Sequence, residues 1–366
     1  MIQVLKKLDW GLISAIVLLL AVGLLSIAST SQTRTGAFIL LKKQAIFAVI
    51  GLILLLLFSF IDYRFLRNYP AVVLTLYVIS VSLLILLFIF SSKTRGAISW
   101  FHFSSSIGSI GFEPVEITKF TLIALLSKYF SNRHVDFGLI RHIFISGFYF
   151  FVPTALVLFQ PDFGSAVLLI IIWVGIMLAS GIRMRHLAAL LLILSIFSGI
   201  GWSFFLKDYQ RARILIFLSP QSDPLGRGYN ISQSIIAIGS GGFWGKGLGH
   251  GSQSQLNFLP EQHTDFILAT IAEEWGFFGV SLILITWGII FWKLFLITIN
   301  ANTNFARLFV FGFTLLLLFH ISINIGMNIG FFPITGIPLP MVSYGGSNLI
   351  TTLITFGLVQ NIRINS

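Results

Sequence analysis

The chain contains no cysteine, which excludes disulfide bridges and thiolate-bound metal but selects no compartment. Charge is scarce as well: Asp, Glu, Lys and Arg make up 10% of the 366 residues, and only twelve residues are acidic. Also missing are a phosphate-binding Gly-x-x-x-x-Gly-Lys-Ser/Thr loop, a Ser-His-Asp arrangement and any His/Asp/Glu grouping with metal-ligand spacing. No basic-aromatic platform for nucleic acid appears either. The net charge of +11 therefore reads as basic loops beside anionic lipid rather than as a nucleic-acid surface.

What is present is apolar. Hydrophobic residues form 56% of the chain and come in runs near the roughly 20 residues that a helix needs to cross a bilayer. Such runs lie at 11–29, 45–61, 71–90, 115–130, 138–158, 164–181, 187–206, 266–292, 307–329 and 341–361. The expected fold is an all-α polytopic bundle of ten transmembrane helices, one integral membrane domain over 1–366, because backbone groups find no water partners in lipid and no alternating barrel pattern is visible. The first run is long for a signal peptide and lacks a convincing cleavage site after it, so it is expected to be retained. Lys and Arg near the span ends number twelve on the side of the termini (among them Lys6, Arg64, Lys128, Arg185, Lys293 and Arg363) against five on the other. This places both termini in the cytoplasm. The connection 207–265 between helices 7 and 8 then becomes a long extracytoplasmic loop leading into the helix at 266.

Four of the twelve acids, Glu261, Asp265, Glu273 and Glu274, fall within the single stretch Asn257–Gly276, where a polar loop runs into an apolar helix. Charge is costly at membrane depth, by about 2.5–3.5 kcal/mol at a helix centre, so the cluster asks for a reason. Asp265, after Thr264 at the helix start, suits two jobs: an N-cap that accepts backbone N–H bonds, or a general base at the mouth of the bundle. Glu273 and Glu274, further along the helix, read as supports or as cavity partners.

Other polar positions join it. Glu116 and Lys119, three apart, share a helix face and can form an ion pair, whether for neutralisation or for lining a cavity. Asp162, in Gln160-Pro-Asp-Phe-Gly164, reads first as a helix cap. Arg211 and Arg213 suit a phosphate or pyrophosphate through forked hydrogen bonds, and equally an anionic lipid headgroup. Gly239–Gly249 is glycine-rich but no nucleotide fingerprint, so a flexible or close-packed loop is expected. His320, Asn324 and Asn328 recur every four residues, as an interhelical hydrogen-bonding stripe does. Phe331–Pro340 holds three prolines and a glycine, an irregular backbone that must be buried in protein or line a cavity. Ser343–Asn348 then opens the last helix with small and polar residues, for close packing or for presenting N–H groups to an anion. Glu261, His263, Ser343 and Ser347 complete the candidates for substrate binding or cavity lining.

In chain order, Gly96-Ala-Ile-Ser-Trp100, Glu113-Pro-Val-Glu-Ile-Thr-Lys119, Gln160-Pro-Asp-Phe-Gly164, Leu259-Pro-Glu-Gln-His-Thr-Asp265-Phe-Ile and Gly336-Ile-Pro-Leu-Pro-Met-Val-Ser-Tyr-Gly-Gly-Ser347 together resemble the SEDS family of bacterial cell-wall polymerases. The short N-terminus and Asp208-Tyr-Gln-Arg-Ala-Arg213 look more like its elongation (RodA) branch than its division branch. The resemblance implies a peptidoglycan glycosyltransferase that polymerises lipid II at the outer face of the bacterial cytoplasmic (inner) membrane, for elongation and shape. By the same likeness, Asp265 matches the essential aspartate, Trp100 an important outer-loop tryptophan, and Glu116 with Lys119 the polar pair of the central cavity. Asn257 stands where many members carry an acid, which leaves Glu261 as the nearest remaining one.

The chemistry so implied has Asp265 deprotonating the acceptor sugar's 4-hydroxyl, which attacks the anomeric carbon of the growing glycan and releases undecaprenyl pyrophosphate with inversion. Arg211, Arg213 or Lys119 would neutralise the developing pyrophosphate, and a divalent cation could assist. The implied partners are lipid II, the undecaprenyl-pyrophosphate-linked glycan and a single-pass class B penicillin-binding protein that supplies the transpeptidase. Two other classes compete: a lipid II flippase, which needs polar groups along a path to the inner leaflet, and a non-catalytic scaffold, which leaves the acidic cluster without a purpose.

Overall fold

The computed structural model describes residues 6–31, 37–91, 99–103, 110–131, 140–182, 227–256, 258–259 and 261–366, with Arg185, Ala188, Leu192 and Gly199 as isolated positions. Its elements are α1 (Trp10–Ser31), α2 (Ala37–Phe60), the short α3 (Arg64–Asn68), α4 (Pro70–Phe90), β1 (Phe101–Phe103), β2 (Ile110–Phe112), α5 (Pro114–Ser131), α6 (Ile140–Phe159), α7 (Phe163–Ala179), α8 (Arg227–Gly241), α9 (Ser252–Gln255), α10 (Ile267–Asn300), α11 (Asn304–Asn328) and α12 (Gly346–Ile364). Nine of these coincide with expected spans. The seventh expected span, 187–206, lies almost wholly outside the described residues.

Six helices, α1, α2, α4, α6, α10 and α11, are long and apolar enough to cross a membrane by length and composition, and α7 is a shorter apolar helix of 17 residues. The helices that fall short, α5 and α12, are those carrying polar groups inward: Glu116, Thr118, Lys119, Thr121 and Ser127 on α5, and Asn348, Thr352, Gln360 and Asn361 on α12, are all buried. One large apolar core unites these helices.

The termini and the α10–α11 turn meet at one end of the bundle. There Asp9 binds both Lys293 (3.2 Å) and Arg363 (3.4 Å), and its backbone N–H donates to Gln360 Oε1 at 3.0 Å. That pairing explains why α10 continues to Asn300 although Lys293 closes the apolar run expected at 266–292. Along the bundle α2 and α12 run side by side at close range, as their small residues permit. A Cβ on Gly346 would lie 2.6 Å from Phe47 Cε2, and one on Gly357 would lie 2.5 Å from the Leu55 carbonyl oxygen.

At the opposite end three features depart from the sequence expectation. Phe101–Phe103 and Ile110–Phe112 pair as a small antiparallel hairpin with Phe101 opposite Phe112, so the connection before α5 is not wholly loop. Within the expected loop 207–265, residues 207–226 lie outside the description, but Arg227–Gly241 is a helix. Its buried positions are Gly228, Ile231, Ser234, Ala237 and Gly241, a helical stripe of mostly small residues that hydropathy does not register. Small size is what the contact needs, since a Cβ on Gly241 would lie 1.9 Å from the Ala272 carbonyl oxygen of α10.

The third feature is a break in α10 at Gly276, with φ 66° and ψ −158°. A broken helix frees carbonyls and N–H groups that apolar surroundings cannot satisfy. The glycine-rich loop after α8 supplies their partners: Lys246 N–H donates to Glu273 O (3.0 Å), Gly247 N–H to Glu274 O (2.9 Å), Phe277 N–H to Gly242 O (2.9 Å) and Phe278 N–H to Phe243 O (3.1 Å). Backbone meets backbone so closely that a Cβ on Gly245, itself at φ 77°, would lie 2.1 Å from Glu274 O. Of the two sequence readings of Gly239–Gly249, the close-packed loop is the one observed.

Candidate active site

Asp265 sits in the turn 261–266 immediately before α10. The N-cap of that helix is Phe266, which carries no capping side chain, so the capping role expected of Asp265 is corrected. The turn brings in Glu261 at φ 51°, and at that sharp entry the helix starts one residue later than the Thr-Asp pair suggests. The Asp265 backbone carbonyl is gripped by two amides of α11, Asn324 Nδ2 at 3.2 Å and Asn328 Nδ2 at 3.0 Å. Asn324 also donates to Ile337 O at 2.8 Å, and Asn328 Oδ1 accepts from Ala269 N–H at 3.3 Å. The two asparagines of the α11 stripe thus bond between elements, as expected, and what they hold is the aspartate's own backbone.

The proline-rich segment lies against the aspartate. A Cβ on Gly336 would stand 3.7 Å from Asp265 Oδ2, and Gly336 has φ 76°, a conformation glycine adopts at little cost. On its other side the same segment meets the Asp162 turn, for a Cβ on Gly164 would lie 2.6 Å from Ile337 Cγ1 and 3.1 Å from Thr335 O. Loop 333–340 is therefore the wall shared by the Asp265 turn and the Asp162 turn. Asp162 itself caps α7, accepting from Ser165 N–H at 3.0 Å, while its charge acts on Glu113 and Lys119.

Several predicted ligands hold the site together. Ser343 Oγ donates to Thr264 O at 2.6 Å and accepts from Leu339 N–H at 2.8 Å. Tyr344 N–H donates to His263 O at 2.8 Å, and His263 Nδ1 lies 3.1 Å from Thr30 Oγ1. Ser347 Oγ accepts from Glu113 N–H at 3.0 Å. Glu261 closes its own turn, with Thr264 Oγ1 at 3.3 Å from its carbonyl and 3.4 Å from Oε2.

On α5, Lys119 Nζ meets Glu116 Oε1 at 2.8 Å, with both side chains buried. Glu116 Oε2 accepts from Asn348 Nδ2 at 3.1 Å, so α12 steadies the pair. His320, buried on α11, lies within reach of the Lys119 charge. Its Nε2 has no hydrogen-bond partner among the described residues. Sequence reasoning passed over one residue here, Glu113. The Trp100 indole Nε1 donates to Glu113 Oε2 at 3.1 Å. Although partly exposed by area, its carboxyl is ringed closely enough that burial, then the charge of Glu116, pushes its pKa up to about 8, against the lowering by Lys119 and the Trp100 bond. The only signal in the sequence is a second acid three residues before Glu116.

The acidic cluster of the sequence divides. Glu273 accepts from Lys246 Nζ (2.9 Å), Ser252 Oγ (3.3 Å), Gln253 N–H (2.9 Å) and Ser254 N–H (3.0 Å). Glu274 Oε1 accepts from Ser29 Oγ (2.7 Å), Gln255 Nε2 (3.1 Å) and Gly249 N–H (3.3 Å). These two carboxylates clasp the returning segment 246–255 to the break in α10, so of the two readings they are supports. Arg211, Arg213 and Asn257 lie outside the described residues. Among the described residues no three His, Cys, Asp or Glu side chains are grouped to hold a metal ion.

Fold and site together define a polytopic, nearly all-helical integral membrane protein with a polar, carboxylate-lined site at one end of its bundle. Residues 7–366 match the family described as "Cell cycle protein", FtsW/RodA/SpoVE, and the chain belongs to that family. It is 40% identical over 288 residues to the peptidoglycan glycosyltransferase MrdB of Escherichia coli K12, covering 79% of this chain and 76% of that protein. Among solved structures it resembles a chain from a peptidoglycan synthase complex studied for the coordination of polymerization and crosslinking, with TM-score 0.83, 30% identity and 98% coverage of both chains. It also resembles the rod shape determining protein RodA of Thermus thermophilus, with TM-score 0.71, 28% identity, and coverage of 97% of this chain and 96% of that one.

Proposed function

We propose that this chain is a peptidoglycan glycosyltransferase that polymerises lipid II into glycan strands at the outer face of the cytoplasmic membrane, with both termini in the cytoplasm and the Asp265 end facing outward. The observation that carries the reading is the shared wall: the Asp265 carboxylate lies against Gly336 of a loop whose other side packs on the Asp162 turn, whose charge reaches Lys119. A base and a buried cation suit transfer from a lipid pyrophosphate. The name of the Escherichia coli relative supports the activity, and the synthase complex supports a transpeptidase partner, which we take to be a class B penicillin-binding protein.

In this reaction Asp265 accepts the proton of the acceptor sugar's 4-hydroxyl. The freed oxygen pair forms the new bond to the anomeric carbon of the growing glycan. The bond from that carbon to the pyrophosphate oxygen breaks, undecaprenyl pyrophosphate leaves, and the configuration inverts in the single displacement. Lys119, held by Glu116, stabilises the negative charge that develops on the leaving group, with Arg211 and Arg213 as further cations. The two amides on the Asp265 carbonyl keep the base in register, because a small misplacement of a catalytic group costs rate steeply.

The test is polymerisation of labelled lipid II by the purified protein with its transpeptidase partner, wild type against Asp265→Asn. Loss of a general base predicts a fall of about 10²–10⁴-fold. Equal polymer from both variants rejects Asp265 as the base. If neither polymerises while both move lipid II across vesicles, the protein is a flippase. The absence of cysteine makes orientation simple to read: a single cysteine at Ser252 should label from outside and one at Asn302 from inside, and the reverse pattern overturns the assigned topology.

A further inference from the structure

Trp100 and Glu113 stand at the two feet of the β1–β2 hairpin and close it with a side-chain bond, indole Nε1 to Oε2 at 3.1 Å. The Trp100 backbone is fixed as well, and its ring has room beside Gly111. The Trp100 carbonyl accepts from Ser91 Oγ at 2.6 Å, and Gly111 leaves room beneath the ring, where a Cβ would lie 3.7 Å from Cδ1. Glu113 in turn is tied to the start of α12, its N–H donating to Ser347 Oγ at 3.0 Å. One residue therefore joins the hairpin, α5 and α12 next to the Glu116–Lys119 pair. We propose that Glu113 is a positioning residue of the transferase site, holding the Trp100 indole beside the Glu116–Lys119 pair so that it meets the sugar of the lipid-linked substrate. This rests on the glycosyltransferase reading above.

The surrounding charges give the role a pH signature. Facing Glu113 are Glu116 and Lys119 from α5 and Asp162 from the turn before α7, with His320 of α11 near Lys119. Three carboxyl groups thus share one ammonium, and a second uncompensated negative charge is disfavoured. With its pKa at about 8, Glu113 is uncharged at neutral pH and still accepts the indole N–H through its carbonyl oxygen. As pH rises through that value it ionises, and the site becomes more negative just where a pyrophosphate must enter. KM for lipid II should rise while kcat changes less.

The experiment measures kcat and KM for lipid II from pH 6.5 to 9.5 in wild type, Glu113→Gln, Glu113→Ala, Trp100→Phe and the double variant Glu113→Ala/Trp100→Phe. Wild-type KM is expected to rise several-fold between about pH 7 and 9. Glu113→Gln, which keeps an acceptor but cannot ionise, should lose that rise and match wild type at pH 7. Glu113→Ala should raise KM by roughly 5–10-fold throughout, the effect of one lost hydrogen bond. The double variant should be no worse than Trp100→Phe alone. The proposal fails if Glu113→Gln keeps the alkaline rise, or if the Ala and Phe effects multiply. A wild-type protein that makes no polymer at any pH would instead reject the glycosyltransferase reading itself.

Discussion

Two groups of carboxylates lie at the same end of this bundle and are treated in opposite ways. Glu273 receives four hydrogen bonds, two of them from backbone N–H groups, and Glu274 Oε1 receives three. Near the start of α5, Glu116 and Asp162 act on Glu113, and all three carboxyl groups act on Lys119, the cation among them. Glu273, filled on both oxygens by donors of its own chain, and Glu274, held through Oε1, serve as moulds for a loop. Carboxylates that crowd one cation keep unspent electrostatic capacity, as functional sites do. The difference separates residues that build the polymerase site from residues that would act in it.

The comparison breaks most visibly at the clasp. Gly276→Ala places a Cβ 2.3 Å from Gly245 N at a residue with φ 66°, so we expect a loss above about 3 kcal/mol, from overpacking combined with a strained backbone, and no monodisperse protein on size-exclusion in detergent. Glu273→Ala removes the acceptor of Gln253 and Ser254 N–H and leaves Lys246 unpaired; a destabilisation of about 3 kcal/mol should appear in thermal melting. If that variant melts like wild type yet no longer polymerises, the clasp acids belong to the chemistry and the division drawn here is wrong. Asn324→Ala removes one of the two amides on the Asp265 carbonyl and the donor to Ile337 O and should lower kcat about tenfold, with a stability cost near 1 kcal/mol. The smallest effect is expected for Lys246→Met: the ammonium is partly exposed and Glu273 keeps its other donors, so the loss should stay at or below about 1 kcal/mol.

Much of this was legible in the chain itself. The apolar runs located nine helices, because burial in lipid imposes a local length and composition, although α2 begins eight residues before its expected span and α10 ends eight residues after it. Asp265, Glu116 with Lys119, and the proline loop were visible as polar interruptions in runs that had no need of them. The N-terminus of α10 was read one residue too early, for a Thr-Asp pair resembles a cap whether or not the turn before it lets the helix begin there. Helix α8 went unseen because its packing stripe is, apart from Ile231, Gly, Ser and Ala, whose value lies in what they omit.

The sequence by itself determined the membrane class, the positions of the spans and which acids stood near the bundle mouth, since each of these depends on residues close together in the chain. Only the tertiary structure decided what each acid does. Ser29 reaches Glu274 across 245 positions, Asn348 reaches Glu116 across 232, and Ser347 reaches Glu113 across 234. A polar group's role is set by the partners that reach it, and in a helical bundle those partners come from segments that the sequence keeps far apart.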